Sequence, residues 1–199
     1  MEKTLFLKSL IIVFGVYFLS TPIYAERVRV DLTFDMFKKI QLGMTYDEAV
    51  DIIGTEGELF LDSSHGQETS KGYQWFHTKN KDTTLSITVI NDKIFQKIQS
   101  GLNHNSSIQL DLTAEMFEKI QDGMSYDEIV SIIGTEGEFV QESTLNLNKI
   151  PDRTYLWVYK TNGVMKIIWI TFNDDKMHIK QSMGFDQGSS KIINRIVPQ

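Results

Sequence analysis

Two stretches of this sequence are near copies of each other. Residues 31–58 read DLTFDMFKKIQLGMTYDEAVDIIGTEGE, and residues 111–138 read DLTAEMFEKIQDGMSYDEIVSIIGTEGE. They are identical at 21 of 28 positions. A weaker match continues beyond them, where Trp75 corresponds to Trp157. An internal repeat of this length indicates one supersecondary unit that is used twice.

The chain divides into five predicted segments. Residues 1–25 resemble an export signal, because two lysines precede the apolar run LIIVFGVYFL and Ala25 supplies a small residue at a cleavage point. Residues 26–102 form the first repeat unit, residues 103–110 a linker and residues 111–185 the second unit. A C-terminal tail follows, which could be an extra strand, a surface contact or a frayed end.

Cleavage after Ala25 predicts an extracellular location, or one at the cell surface or envelope. The apolar run is shorter than the ~20 residues that a membrane-spanning helix needs. An uncleaved membrane anchor is the alternative, and only then do we expect a membrane contact.

Composition excludes several classes of function. The chain has 199 residues and no cysteine, which removes disulfide scaffolds, cysteine-ligated metals and thiol nucleophiles. Lys and Arg total 20 against 26 Asp and Glu, for a net charge of −6. This acidic balance argues against nucleic acid as a partner, because nucleic acid rewards a basic surface.

Each repeat begins with two predicted helices. In the first, Thr33 is a good N-cap, and Gly43 is placed to end the helix in the left-handed conformation. Thr45 and Glu48 have the spacing of a capping box, and Gly54 ends the second helix. The second repeat has the same signals. Helices this short need a sheet to pack against.

The rest of each repeat predicts that sheet. Alternating strand-like segments are separated by polar turns, two of which (91–92 and 174–175) suit tight hairpins. Consecutive strands with short connections pair antiparallel. We therefore predict an α+β fold, in which two helix–helix–four-strand units form one continuous, concave sheet of about eight strands with helices on one face.

No residue pattern indicates catalysis. The four histidines lack metal-ligand spacing, and the paired acids are explained as helix caps. We predict a protein that is not an enzyme and has no cofactor or metal. An enzyme would need a convergent cleft of ionisable groups.

Aromatic residues alternate along the predicted strands. If their parity points away from the helices, the open face of the sheet forms a protein-binding surface. The predicted members are Tyr73, Trp75, Tyr155, Trp157, Tyr159 and Trp169. Lys81, Asp82 and Asn162 would form its rim at two hairpin tips. The alternative is the inverted parity, in which Trp75 and Trp157 belong to the core.

The motif F-x-x-I-Q-x-G-M-[TS]-x6-[IV]-[IV]-G, at 37–54 and 117–134, resembles the repeat of β-lactamase inhibitory proteins. Its shorter G-M-[TS] element is also similar to the SmpA/BamE-like envelope proteins. The first resemblance implies tandem units whose concave sheet clamps a β-lactamase while two hairpin loops plug its active site.

The equivalent loops here would be 78–83 and 160–164. The favoured hypothesis is an exported module that binds another protein, either a β-lactamase or another cell-envelope protein. The alternative is an envelope structural or assembly protein without inhibitory activity.

Overall fold

The computed structural model describes residues 27–65, 68–103, 111–161, 163–185 and 191–194. The predicted signal peptide lies outside these ranges, as do residues 104–110 of the predicted linker. Among the described residues, no helix is both long enough and apolar enough to cross a membrane.

Four short helices form where the repeated sequence predicts them. They are α1 (Phe34–Lys39), α2 (Tyr46–Ile53), α3 (Ala114–Lys119) and α4 (Tyr126–Ile133). The capping box of α2 is confirmed, because the Glu48 amide donates to the Thr45 hydroxyl at 3.2 Å and the Thr45 amide donates to the Glu48 carboxylate at 2.7 Å. Ser125 and Glu128 make the same pair of bonds at α4.

Gly43 was predicted to end the first helix, and this prediction is wrong. Helix α1 ends at Lys39, and Ile40 already has extended backbone angles as the C-cap. Ile40 is fully buried, so the chain turns there to place its side chain in the core. Gly43 lies further on, in the turn between the helices, and donates its amide to the Ile94 carbonyl at 2.8 Å.

Ten strands in the described ranges form one sheet. Their bounds are β1 (Arg29–Val30), β2 (Glu58–His65), β3 (Glu68–His77), β4 (Thr84–Ile90), β5 (Lys93–Ser100), β6 (Glu138–Ser143), β7 (Asp152–Thr161), β8 (Val164–Asn173), β9 (Lys176–Met183) and β10 (Lys191–Asn194). The spatial order is β1-β3-β4-β5-β6-β7-β8-β9-β10, with β2 beside β3. The α+β fold with one concave sheet is confirmed.

Two short strands extend the predicted set of eight. β1 pairs with β3 in parallel, and β10, within the predicted tail, pairs antiparallel with β9. The other pairs are antiparallel as predicted. Both predicted tight turns are confirmed, since Asn91, Asp92, Asp174 and Asp175 have the positive φ angles of two-residue hairpin loops.

The helices cover one face of the sheet and enclose two hydrophobic cores. The first core centres on Phe37, Ile40 and Trp75, and the second on Phe117, Ile120 and Trp157. We call this side of the sheet the helix face and the other side the open face.

The two repeats meet where β5 pairs with β6. There the Lys97 ammonium donates to the carbonyl groups of Phe37 and Ile40, at 3.2 and 2.6 Å. It also lies 3.2 Å from the Glu142 carboxylate, which accepts from Arg153 at 3.0 Å. Burial lowers the pKa of Lys97. This cluster joins the end of α1 to the second repeat.

Candidate protein-binding surface

The two tryptophans predicted for the open face lie in the cores. Trp75 has no exposed surface, and Trp157 is 3% exposed. The Trp75 indole N–H donates to the Thr55 carbonyl at 2.9 Å, and the Trp157 indole N–H donates to the Thr135 carbonyl at 2.9 Å. The predicted orientation is therefore wrong for both residues, and the inverted parity is correct.

A glycine beneath each indole ring explains this arrangement. A Cβ atom on Gly57 would lie 2.8 Å from ring carbons of Trp75, and one on Gly137 would lie 2.7 Å from a ring carbon of Trp157. Both distances are too short for a side chain, so glycine allows the ring to pack directly on the backbone. Each of these glycines closes a G-T-E-G segment (54–57 and 134–137), whose first glycine was predicted to end the preceding helix.

The predicted tyrosines also lie on the helix face. Tyr73, Tyr155 and Tyr159 are half-buried and pack against the two cores. The Tyr73 ring stacks on Tyr46 with centroids 3.8 Å apart, and the Tyr155 ring lies 4.4 Å from that of Tyr126. Burial raises the pKa of Tyr155 and raises that of Tyr126 to about 12. These hydroxyls stay neutral at physiological pH.

Trp169 is the predicted aromatic residue that does lie on the open face. Its neighbours along β8, Ile168 and Ile170, are fully buried in the second core, so Trp169 points to the other side. Its partners across the sheet are Leu156 on β7 and Gln181 on β9.

Further apolar side chains share the open face around Trp169. Val158, Ile167 and Met183 form a row across β7, β8 and β9, since cross-strand partners point to the same face. Val158 is 50% exposed and Met165 is 44% exposed. We call this set the apolar patch; its members are Leu156, Val158, Met165, Ile167, Trp169 and Met183.

Of the apolar patch, only Trp169 was predicted. The orientation predicted for Tyr155 and Trp157 would turn the alternating residues Leu156 and Val158 towards the helices, which is the reverse of their position in β7. The available signal was Gly57 and its counterpart Gly137, each three residues after the glycine that caps the second helix of its repeat.

The open face of the first repeat is more polar. Ser86, Thr88 and Gln96 lie on it, together with Ile98. Phe76 also belongs to this face, but the Arg27 guanidinium covers its ring at 4.6 Å from the centroid. This half of the face therefore offers mainly hydroxyl and amide groups to a partner.

The two predicted hairpin tips lie at the same edge of the sheet. From β3 to β8 each strand runs antiparallel to its neighbour, so the β3–β4 and β7–β8 turns emerge in one direction. Four strand spacings of ~4.8 Å separate the two hairpins, which gives about 19 Å between their tips. Lys81 and Asp82 are exposed at the first tip, and Asn162 lies outside the described residues.

The first tip is held in shape by its own hydrogen bonds. The His77 imidazole Nδ1 accepts from the amides of Lys79 and Asn80, at 3.0 and 3.2 Å. The Asp82 amide donates to the Asn80 side chain at 3.2 Å. The tip that carries Lys81 is thus preorganised by hydrogen bonds within the loop.

A groove of about 740 Å³ lies on the helix face, where the two repeats meet. Phe34, Phe139 and Tyr155 line it beside the ion pair of Lys97 and Glu142. The described part of the chain contains no cluster of three or more His, Cys, Asp or Glu residues that could hold a metal ion.

A concave antiparallel sheet with one helix-covered face, one open face and two hairpins at a common edge defines a class of protein-binding modules. The sequence model of the β-lactamase inhibitor (BLIP) family matches residues 33–157 and 113–195, one match from the first helix cap of each repeat. The chain belongs to this family of inhibitor proteins, which is not a family of enzymes.

Solved structures support the same fold. One is a candidate β-lactamase inhibitor protein from Streptococcus mutans, with a TM-score of 0.50 and 18% sequence identity. The match covers 79% of this chain and 92% of that one. None of the curated proteins matches the chain in sequence.

Proposed function

We propose that this protein is exported and binds another protein on the open face of its sheet. The two hairpin tips would contact opposite sides of the bound segment. A β-lactamase is the first candidate partner. The observation that carries the proposal is the common edge from which both tips emerge, about 19 Å apart. An α-helix with its side chains is about 10–12 Å wide, so one helix and its flanking loop fit between the tips.

The character of the open face supports a protein as the partner. The apolar patch combines a large aromatic ring with exposed Val158, Met165 and Met183. Aromatic residues and methionine are enriched in interface cores, and a contiguous exposed patch usually marks an interaction site. The polar half in the first repeat would supply hydrogen bonds.

Titration of the protein lacking residues 1–25 into class A β-lactamases tests this function, with nitrocefin hydrolysis for inhibition and calorimetry for binding. We expect inhibition that Met165→Lys weakens about tenfold or more, because a charge would enter the interface core. The matched control is Leu145→Lys. The exposed fraction of Leu145, 41%, is similar to the 44% of Met165. Leu145 follows β6, however, and so lies at the opposite edge of the sheet.

Equal inhibition by the Met165→Lys protein would contradict binding through the open face. Absence of both inhibition and binding would contradict a class A β-lactamase as the partner. Export has a separate test, in which mass spectrometry of the protein from the producing organism should find Glu26 at the N-terminus.

A further inference from the structure

The edge strand β2 is built like the internal strand β6. β2 pairs with β3 through Leu59 and Tyr73, and β6 pairs with β7 through Phe139 and Tyr155. In both pairs the register shifts at the next residue. The outer edge of β6 is paired with β5, whereas within the described residues β2 pairs with β3 alone. The outer edge of β2 therefore resembles the edge of β6 that pairs with β5, but within the described residues no strand pairs with it.

Side chains along β2 fit this description. Phe139 packs against the first core across the repeat junction, but its counterpart Leu59 is 48% exposed. The Glu138 carboxylate accepts from the Gln99 amide at 3.0 Å. Its counterpart Glu58 has a buried carboxylate oxygen with no hydrogen-bond partner among the described residues. Among the described residues, neither position has the neighbour that the first repeat provides to the second.

At the other end of the sheet, β9 is built like β5. Each strand shifts register at the same point of its pairing with the preceding strand. Lys180 donates to the last carbonyl groups of α3 at 2.8 and 2.7 Å, as Lys97 does to those of α1. The edge that β5 presents to β6 is therefore repeated on β9.

The C-terminal segment covers that edge in the manner of β6. Ile193 of β10 lies opposite Lys180, as Glu142 of β6 lies opposite Lys97. Just before this strand, Phe185 stacks on the Phe117 ring with centroids 6.4 Å apart.

We propose that the outer edge of β2 is a docking site for β9 of a second copy of this chain, and that β10 keeps the protein monomeric by covering β9. The contact would repeat the β5–β6 junction between molecules. Asp62 of β2 stands at the position of Glu142, so it would face Lys180 of the second copy with the opposite charge. A head-to-tail contact of this kind has no built-in end and produces chains of molecules.

Removal of residues 186–199 from the mature protein tests the proposal by sedimentation velocity and light scattering over a range of concentrations. The intact protein should keep the mass of one chain. The shortened protein should associate, with an average mass that rises about twofold or more with concentration, because an uncovered edge strand is a template for pairing.

Leu59→Lys in the shortened protein should abolish this association, since it places a charge on the docking edge. Leu145→Lys is the matched control for surface charge and should leave the association unchanged. A synthetic peptide of residues 186–199 should dissolve the assembly by covering β9 again.

A shortened protein that keeps its circular dichroism spectrum and stays at the mass of one chain would overturn the proposal. Association that Leu59→Lys does not reduce would overturn the choice of β2. If the shortened protein does not fold, Ile192→Pro combined with Ile193→Pro in the full tail replaces it. Successive residues of a strand alternate their amides, so one of the two prolines must remove a donor that faces β9.

Discussion

Replacing Trp157 by alanine removes the largest side chain of the second core, and its cost can be estimated from its contacts. A buried Trp side chain hides about 200 Å² of surface. At ~25 cal/mol per Å², its burial contributes about 5 kcal/mol as an upper estimate. The hydrogen bond from its indole to the Thr135 carbonyl adds about 1 kcal/mol. Because the site relaxes in part, we expect a loss of about 4 kcal/mol in the free energy of unfolding.

Chemical denaturation followed by far-ultraviolet circular dichroism measures this loss. A domain of ordinary stability has about 5–15 kcal/mol in total, so the variant should lose a quarter or more of it. The thermal midpoint should fall by about 8–16 °C. Trp75→Ala is an internal replicate, because Trp75 makes the same hydrogen bond and lies on an equivalent glycine.

Trp169→Ala is the matched control on the opposite face. Its side chain is half-buried and lies outside both cores, so the free energy of unfolding should fall by clearly less than it does in Trp157→Ala. Partner binding should weaken instead. If Trp157→Ala left the denaturation midpoint unchanged while binding was lost, the assignment of Trp157 to the core would be refuted.

Three further outcomes follow from particular contacts. Gly137→Ala should lower the free energy of unfolding by about 1–3 kcal/mol in denaturant titration, because its methyl group would overlap the Trp157 ring. Glu142→Ala should cost about 3 kcal/mol in the same assay, since it leaves the largely buried Lys97 ammonium without its carboxylate. The Tyr126 hydroxyl should ionise at about pH 12, visible in a tyrosinate absorbance titration. Because its folded pKa lies above the unfolded value of about 10, its contribution to stability is complete below pH ~10 and is lost as the pH rises towards 12.

Helices, caps and turns could be predicted because each depends on a few adjacent residues. The capping box needs only Thr45 and Glu48 at the right spacing, and the Asn91-Asp92 turn only two residues that tolerate positive φ. The order of antiparallel strands followed from short connections. From that order alone, both hairpin tips could be placed at one edge of the sheet.

The face of each strand could not be predicted in the same way. Strand β7 alternates Tyr155 and Trp157 with Leu156 and Val158, so both of its faces carry large apolar side chains. Hydrophobicity therefore does not choose between the two orientations. The choice is made in three dimensions, where the backbone at Gly137 approaches closely enough to hold an indole ring.

The short strand β1 was not predicted, and a strand in the C-terminal tail was only one of three alternatives. With two and four residues, neither is long enough to show a strand-like alternation. Each exists because a longer strand of the sheet offers it an edge, which is information held by the tertiary structure.

The two repeats agree on the helix face, which builds the fold, and differ on the open face, which is the proposed binding surface. On the helix face, both keep the tryptophan, its glycine and the lysine that holds the first helix. On the open face, Trp169 takes the place of Ser86, and Met183 the place of Ser100. A partner that fits this surface must itself be asymmetric, with an apolar part against the second repeat and hydrogen-bonding groups against the first. If the open face is the binding surface, as proposed, the difference between the repeats would fix the orientation of the partner.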